Sequence, residues 1–204
     1  MTTQYKLCST IPGHVGPVEC LTATVDGKIL ASGGPDGTRL WGLKSMLEMP
    51  RPGGAGIRGA TCVVTWVSRD VEPGEVLFYG TQNGHFVCWR SINETFEEAF
   101  VLRLALPSEI TGIHFDSASS RACICNRGGL VQSFCFDRSW RPVSIFSVQL
   151  QPFVPKAITF GNFHENDRNI IVFGLYDGNV VTIAGRNGEI MKTQDIGCLM
   201  YALL

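Results

Sequence analysis

The sequence predicts an all-β chain, on three observations. A short apolar run closing on a turn signal, residues 28–37 (KILASGGPDG), recurs at 75–84 (EVLFYGTQNG), 120–129 (SRACICNRGG) and 169–178 (NIIVFGLYDG). The closing glycines, Gly37, Gly84, Gly129 and Gly178, are spaced 47, 45 and 49 residues apart. No stretch longer than a turn or two carries a helical period, whereas short strand patterns bounded by turn signals come at even intervals. A repeat of this length defines the architecture before any single residue does.

Each copy reads as one β-hairpin. Its apolar or small residues include Leu30-Ala31, Leu77-Phe78, Ala122-Cys123 and Ile171-Val172, followed by Gly33, Gly80, Cys125 or Gly174. The turn pairs are Asp36-Gly37, Asn83-Gly84, Gly128-Gly129 and Asp177-Gly178. Such pairs supply positive φ at little steric cost and favour tight hairpins. A second strand follows each turn, at 38–41, 86–89, 130–134 and 180–183.

The remaining elements follow in order. Residues 18–24 read as a strand with its turn at Asp26-Gly27, and 45–49 as a short outer strand or helical turn. The second repeat runs 61–67, a turn at Glu72-Pro73-Gly74, 75–81, 85–91 and 97–105. The third runs 110–116, 120–126, 130–137 and 143–150, and the fourth 156–163, 168–175, 179–184 and 189–196. Residues 5–11 read as a lone strand, and 197–204 as the first strand of a further repeat.

Bulk properties narrow the function. The 204 residues are 45% hydrophobic and 17% charged, enough for a sizeable core. The 23 glycines and 10 prolines are spread along the chain, as many turns require. A formal net charge of −1 gives no long-range attraction to phosphate, so no nucleic-acid partner is expected. No apolar run is long enough to span a bilayer, and the N-terminus lacks the pattern of a secretory signal. A cytoplasmic or nuclear location is expected. The eight cysteines form no CxxC and read as reduced, buried apolar residues in such a compartment. The glycosylation sequon at Asn93-Glu94-Thr95 is then a chance match.

Gly54-Ala55-Gly56-Ile57-Arg58-Gly59 has the spacing of a dinucleotide-binding fingerprint, but in the wrong context. That motif needs a strand before it and a helix after it. Here Pro50 and Pro52 precede it and a β-branched strand pattern follows, so it reads as an ordinary loop.

Four strands in a repeat of about 45 residues is the pattern of a propeller blade. In the first repeat, Gly13-His14, Ser32, Asp36 and Trp41 stand in the order of the WD-repeat motif, and the chain resembles that family. The resemblance implies a hydrogen-bonded chain of His, Ser, Asp and Trp tying the strands of a blade together. Trp89 and Asp177 match the same motif in later repeats. The match decays along the chain. The second repeat has Thr81 and Asn83 but Arg58-Gly59 in place of Gly-His, the third has Phe134 and the fourth Ile183 at the Trp position, and no Trp-Asp pair occurs. The implied organisation is one partial propeller over 1–204, with blades at about 13–58, 59–108, 109–154 and 155–196. Residues 1–12 would be an orphan outer strand, and 197–204 the start of a fifth blade.

Closed rings of this family have more blades than four. An incomplete ring leaves apolar blade faces and strand edges open, so self-association is expected. No nucleophile elbow, metal cluster or acid pair stands out, and His14, His85, His114 and His164 fall in separate places. Neither a cofactor nor a metal is expected. The resemblance instead implies a non-catalytic scaffold that binds other proteins through loops on a rigid disc. The residues before the turn Asp, namely Pro35, Gln82, Arg127 and Tyr176, would be exposed on one face, with Arg58 joining them from the loop entering the second repeat. Two alternatives remain: a truncated propeller without activity of its own, or a ligand-binding or enzymatic propeller whose channel carries Thr22, Thr65 and Thr159.

Overall fold

The computed structural model describes residues 10–11, 13–52, 55–69, 72–93, 95–163 and 168–195. The expected strand at 5–11 falls almost wholly outside these residues, as do the tail at 197–204 and His164. Within the described residues, sixteen strands form four antiparallel sheets of four strands each.

The first sheet is β1 (Cys20–Ala23), β2 (Ile29–Gly34), β3 (Gly37–Gly42) and β4 (Leu47–Glu48). The second is β5 (Thr61–Arg69), β6 (Glu72–Thr81), β7 (His85–Ile92) and β8 (Thr95–Arg103). The third is β9 (Ile110–Asp116), β10 (Arg121–Asn126), β11 (Leu130–Phe136) and β12 (Pro142–Gln149), and the fourth β13 (Pro155–Phe163), β14 (Arg168–Leu175), β15 (Asn179–Ala184) and β16 (Ile190–Asp195). Every sheet is a simple meander in sequence order. The second and third strands of each meet in a hairpin whose glycine has positive φ: 94° at Gly37, 76° at Gly84, 81° at Gly129 and 86° at Gly178. Any other residue would be strained there.

The structure moves three boundaries. Residues 72–74, expected to turn, are the start of β6, because Arg69 of β5 pairs with Glu72. Residues 45–49 contribute only the two-residue strand β4, after a turn in which Met46 takes φ 56°. The glycine-rich loop holds a single 3-10 turn, Ala55–Arg58, followed by β5 and not by an α-helix.

The sheets stack through their inner strands, with β1 against β5, β5 against β9 and β9 against β13. Alternation along each strand sends one set of side chains toward the preceding sheet and the other toward the next. Ala31 and Leu40 of the first sheet meet Leu77, Tyr79, Val87 and Trp89 of the second. Phe78, Phe86 and Cys88 of the second meet Ile110, Ala122, Ile124 and Phe134 of the third. Cys123, Cys125 and Val131 of the third meet Ile171, Phe173, Val181 and Ile183 of the fourth. Burying each large apolar side chain in this way contributes about 1.5–3 kcal/mol. The middle seam is the most aromatic. Phe78 packs edge-on to Phe86 at 5.1 Å and to Trp140 at 5.7 Å, and the Arg69 guanidinium covers Trp140 at 3.9 Å.

One glycine at each seam sets how closely the sheets approach. A Cβ on Gly33 would lie 2.6 Å from Thr61 Cγ2, and one on Gly80 would lie 2.5 Å from Ile110 Cγ2. These glycines pair across the sheet with Cys20 and Val63. In the third sheet the same pair is reversed: Cys125 stands on the second strand and Gly112 on the inner one. A Cβ on Gly112 would lie 3.0 Å from both Cys125 Sγ and Ile158 Cγ2. One member of the pair is glycine in every sheet, Ala157 and Gly174 completing the set. Hydrogen bonds also cross the seams: Thr38 Oγ1 to Thr61 Oγ1 at 3.0 Å, Trp66 Nε1 to the Thr22 carbonyl at 3.2 Å, and Thr111 Oγ1 to the Pro155 carbonyl at 2.7 Å.

Gly80→Ala is therefore expected to destabilise the protein by about 1–3 kcal/mol, because the new methyl overpacks the seam. Gly161→Ala, whose Cβ would approach nothing closer than 3.4 Å, is expected to be close to neutral. Urea denaturation of both variants checks the difference.

Candidate functional site

The first sheet carries a buried polar chain. The segment before β1 brings His14 over the hairpin, where His14 Nε2 lies 2.8 Å from Ser32 Oγ. Trp41 Nε1 donates to the same oxygen at 2.8 Å. On its other side, His14 Nδ1 contacts Asp36 Oδ1. Because the indole N–H already donates to Ser32 Oγ, the serine hydroxyl is free to donate to His14 Nε2. The hydrogen-bond pattern thus assigns the ring proton to Nδ1, facing Asp36. Arg39 binds Asp36 Oδ2 through Nη2 at 2.6 Å and Nε at 3.0 Å, and reaches Glu48 Oε2 through Nη1 at 3.0 Å. The Val15 N–H also donates to Asp36 Oδ2, at 3.3 Å. Burial works against ionisation of Asp36, but the hydrogen bonds from His14 and Arg39 outweigh it and hold the carboxyl well below the usual range. Sequence reasoning missed Arg39. Its one signal was the cross-strand register, which sets it opposite Ser32.

The other sheets do not repeat this chain. Leu30 pairs with Trp41, Leu77 with Trp89, Ala122 with Phe134 and Ile171 with Ile183. Counting from those pairs, the Ser32 position holds Tyr79, Ile124 and Phe173, so Thr81 is not its counterpart. Thr81 Oγ1 instead accepts from the His85 N–H at 3.1 Å, closing its own hairpin. Trp89 packs edge-on to Tyr79 at 5.0 Å, and among the described residues neither its Nε1 nor the Tyr79 hydroxyl makes a hydrogen bond of good geometry. Asp177 sits in an exposed turn and binds Asn179, at 3.1 Å to its N–H and 2.9 Å to its side chain. Trp89 and Asp177 are thus separate from the chain through His14.

Of the residues expected on the surface, Arg58 is the exception. Its side chain is only 15% exposed and pairs with Glu98 at 2.7 Å, drawn in beside Tyr79. Pro35, Gln82, Arg127 and Tyr176 are exposed, at the same position of four successive hairpins. Three of these turns are pinned by equivalent backbone bonds. The N–H groups of Gln82, Arg127 and Tyr176 donate to the carbonyls of Ala60, Glu109 and Val154 at 2.9, 2.8 and 3.1 Å. From the other side, Leu104 and Leu150 donate to the Gly84 and Gly129 carbonyls, both at 2.9 Å. Arg127 stays 58% exposed while touching Glu109 at 3.1 Å, and Lys156 lies over the exposed Tyr176 ring at 5.4 Å.

No family model and no curated protein matches the chain. Solved structures do. One is a chain of a mitotic checkpoint complex, with TM-score 0.66 and 17% identity over 87% of this chain. Another is the computationally designed Ika8 protein, with TM-score 0.67 and 18% identity over 91% of this chain. This chain spans about half the length of each, 50% and 51%. The fold is an arc of a β-propeller.

In propeller terms, the four sheets are blades and the inner strands line the hub. Register sets Thr22, Thr65, His114 and Thr159 at one level of that lining. They do not converge. The Thr65 and Thr159 hydroxyls turn back to carbonyls of their own strands at 3.4 and 3.3 Å, and His114 packs against Phe160 at 5.6 Å. A shallow cleft of about 220 Å³ between β5 and β9 includes Thr65, Trp66 and His114. Among the described residues no three His, Cys, Asp or Glu side chains are grouped to hold a metal. Burial pushes the thiols up, to about 12 at Cys20 and about 11 at Cys62 and Cys125, which keeps them protonated and poorly nucleophilic. No helix among the described residues is long and apolar enough to cross a membrane.

Ser32→Ala is expected to cost about 1–3 kcal/mol, because it strands the buried Trp41 N–H. Asp36→Asn gives a second, pH-dependent test. The folded-state pKa of Asp36 is depressed, so its contribution is full well above the unfolded carboxylate value of about 3.9 and is lost as the pH falls through the folded value. The stability gap between wild type and Asp36→Asn should therefore narrow as acid denaturation is approached from neutral pH. Denaturation midpoints across that range measure it.

Proposed function

We propose that this propeller arc is a non-catalytic scaffold that binds another protein through the rim carrying Gln82, Arg127 and Tyr176. The observation that carries this reading is the rim itself. Three exposed side chains repeat at one position on adjacent blades, each on a turn held by backbone hydrogen bonds to the loop beside it. A pre-ordered surface loses little entropy on binding, and Arg and Tyr are common anchors of interfaces. The hub offers the opposite picture, with hydroxyls turned to their own strands and thiols held protonated by burial. One similar solved chain comes from a complex of proteins, the checkpoint assembly, which supports the same reading. The six described cysteines are free thiols, in keeping with a reducing cytoplasmic or nuclear compartment.

The double variant Arg127→Ala with Tyr176→Ala tests this. Both side chains are largely exposed, so the melting temperature should hardly change. Affinity purification with quantitative mass spectrometry should show roughly tenfold depletion of at least one partner, equivalent to about 1.4 kcal/mol. An unchanged set of partners would remove this rim as the binding surface.

A further inference from the structure

We propose that the loop between β11 and β12, residues 137–141, is a docking point for an acidic peptide segment, whose carboxylates are received by Arg138 and Arg141. This inference is independent of the rim, because β11 runs from the rim hairpin at Gly129 to this loop at its other end. It starts from how firmly the loop is held. Trp140 takes φ 63° and is only 7% exposed, plugged into the aromatic seam between the second and third blades. The Arg69 guanidinium covers its ring at 3.9 Å, and Arg69 Nη2 donates to the Asp137 carbonyl at 2.6 Å. The Trp140 N–H donates to the same carbonyl at 3.0 Å, and the Asp137 N–H donates to the Arg141 carbonyl at 3.2 Å.

The one acid of the loop is engaged by the loop's own backbone. Asp137 Oδ1 accepts the N–H of Ser139 at 2.8 Å and that of Arg141 at 2.9 Å. Arg138, Ser139 and Arg141 remain exposed. Among the described residues no acidic side chain lies within ion-pair distance of Arg138 or Arg141. Arg127 on the rim differs, since it meets Glu109 at 3.1 Å. Two uncompensated guanidinium groups therefore stand on one fixed loop, in a chain whose formal net charge is −1. Val143, near the start of β12 and 56% exposed, offers an apolar contact beside them.

The loop's chemistry favours carboxylates over other anions. A guanidinium matches a carboxylate in plane, two N–H groups to two oxygens, and a loop already ordered loses little entropy on binding. A phosphate held by backbone needs free N–H groups. Here those of Ser139, Trp140 and Arg141 are all taken, and the Asp137 carboxylate would repel a dianion. A nucleic acid needs a longer basic track and an open aromatic face for its bases, whereas Trp140 is buried. An acidic segment brings its charges singly, one carboxylate to each arginine.

Fluorescence anisotropy of a fluorescein-labelled hexaglutamate peptide, titrated with the full chain, tests this. Saturable binding is expected, weakening as salt is added. The double variant Arg138→Ala with Arg141→Ala should weaken it by about tenfold or more. Its melting temperature should not change, because both side chains are exposed. Lys44→Ala, which removes an exposed cation from the first blade, should bind as the wild type does. A wild type that does not bind hexaglutamate overturns the proposal, as does a double variant that binds equally well. An equal loss in Lys44→Ala overturns it too, since net charge alone would then account for binding. Tighter binding of single-stranded DNA, or of a phosphoserine peptide of equal formal charge, overturns the assignment to carboxylates.

Discussion

The constraint on which the structure depends is the close approach of neighbouring blades past a single glycine. A four-stranded meander of this size cannot hold its own two apolar faces away from water. It must lend each face to a neighbour, and the neighbour must come near enough to exclude water. Gly33 and Gly80 make room for Thr61 and Ile110. Where the third blade spends that space on Cys125, Gly112 opposite gives it back. The seam tolerates exchange of the two residues, but not two side chains at once. This is why glycine recurs at a fixed place in strands, where its conformational freedom is otherwise a cost.

The same constraint accounts for the fading of the motif. The polar chain through His14, Ser32, Asp36 and Trp41 lies on the side of the first blade that faces no other blade in the arc. Ser32 and Trp41 are each only 4% exposed, sealed from within by the segment carrying His14. In the later blades the matching side is inside a seam. There an apolar pair such as Ile124 with Phe134, or Phe173 with Ile183, fills the space and leaves no donor to satisfy. A buried polar network must be completed at every atom, whereas an apolar one needs only the right volume. The second blade is intermediate, with Trp89 kept, Tyr79 in place of the serine, and the Arg58–Glu98 pair nearby. Substitution that preserves volume but not polarity erases sequence signatures while the fold survives.

This separates what the sequence made legible from what it hid. Period, hairpin turns and blade number were readable because glycine-containing pairs and alternating apolar runs are local signals. The exposed positions of Gln82, Arg127 and Tyr176 followed from distance to the turn, also a local quantity. Properties set by pairing across strands were not readable. Thr81 looked like the counterpart of Ser32 by similarity of side chain, but the register of β6 against β7 gives that place to Tyr79. Arg58 looked exposed because it lies in a glycine-rich loop, yet Glu98, forty residues away, draws it in. Residues 72–74 carried Pro and Gly and still became strand, because the pairing of Arg69 with Glu72 extends the hairpin past them.

Rim and seam are also mechanically one object. The N–H groups that hold Gln82, Arg127 and Tyr176 donate to carbonyls at or just ahead of the first residues of the same blade's inner strands, β5, β9 and β13. In β5 and β9 those first residues, Thr61 and Ile110, are the ones that press against the glycine of the preceding blade, and at the next seam Ile158 of β13 does so. The spacing of the exposed side chains is therefore set by the blade-to-blade distance, and the glycine sets that distance. A substitution that widens a seam would shift two rim residues apart without touching either. In an arc built this way the fold dictates where the rim residues stand, and leaves their identity free to differ from blade to blade. That freedom is visible in the set Pro35, Gln82, Arg127 and Tyr176, four unlike side chains on four equivalent turns. A surface of that kind recognises by pattern across blades, so its specificity depends on the seams as much as on the side chains themselves.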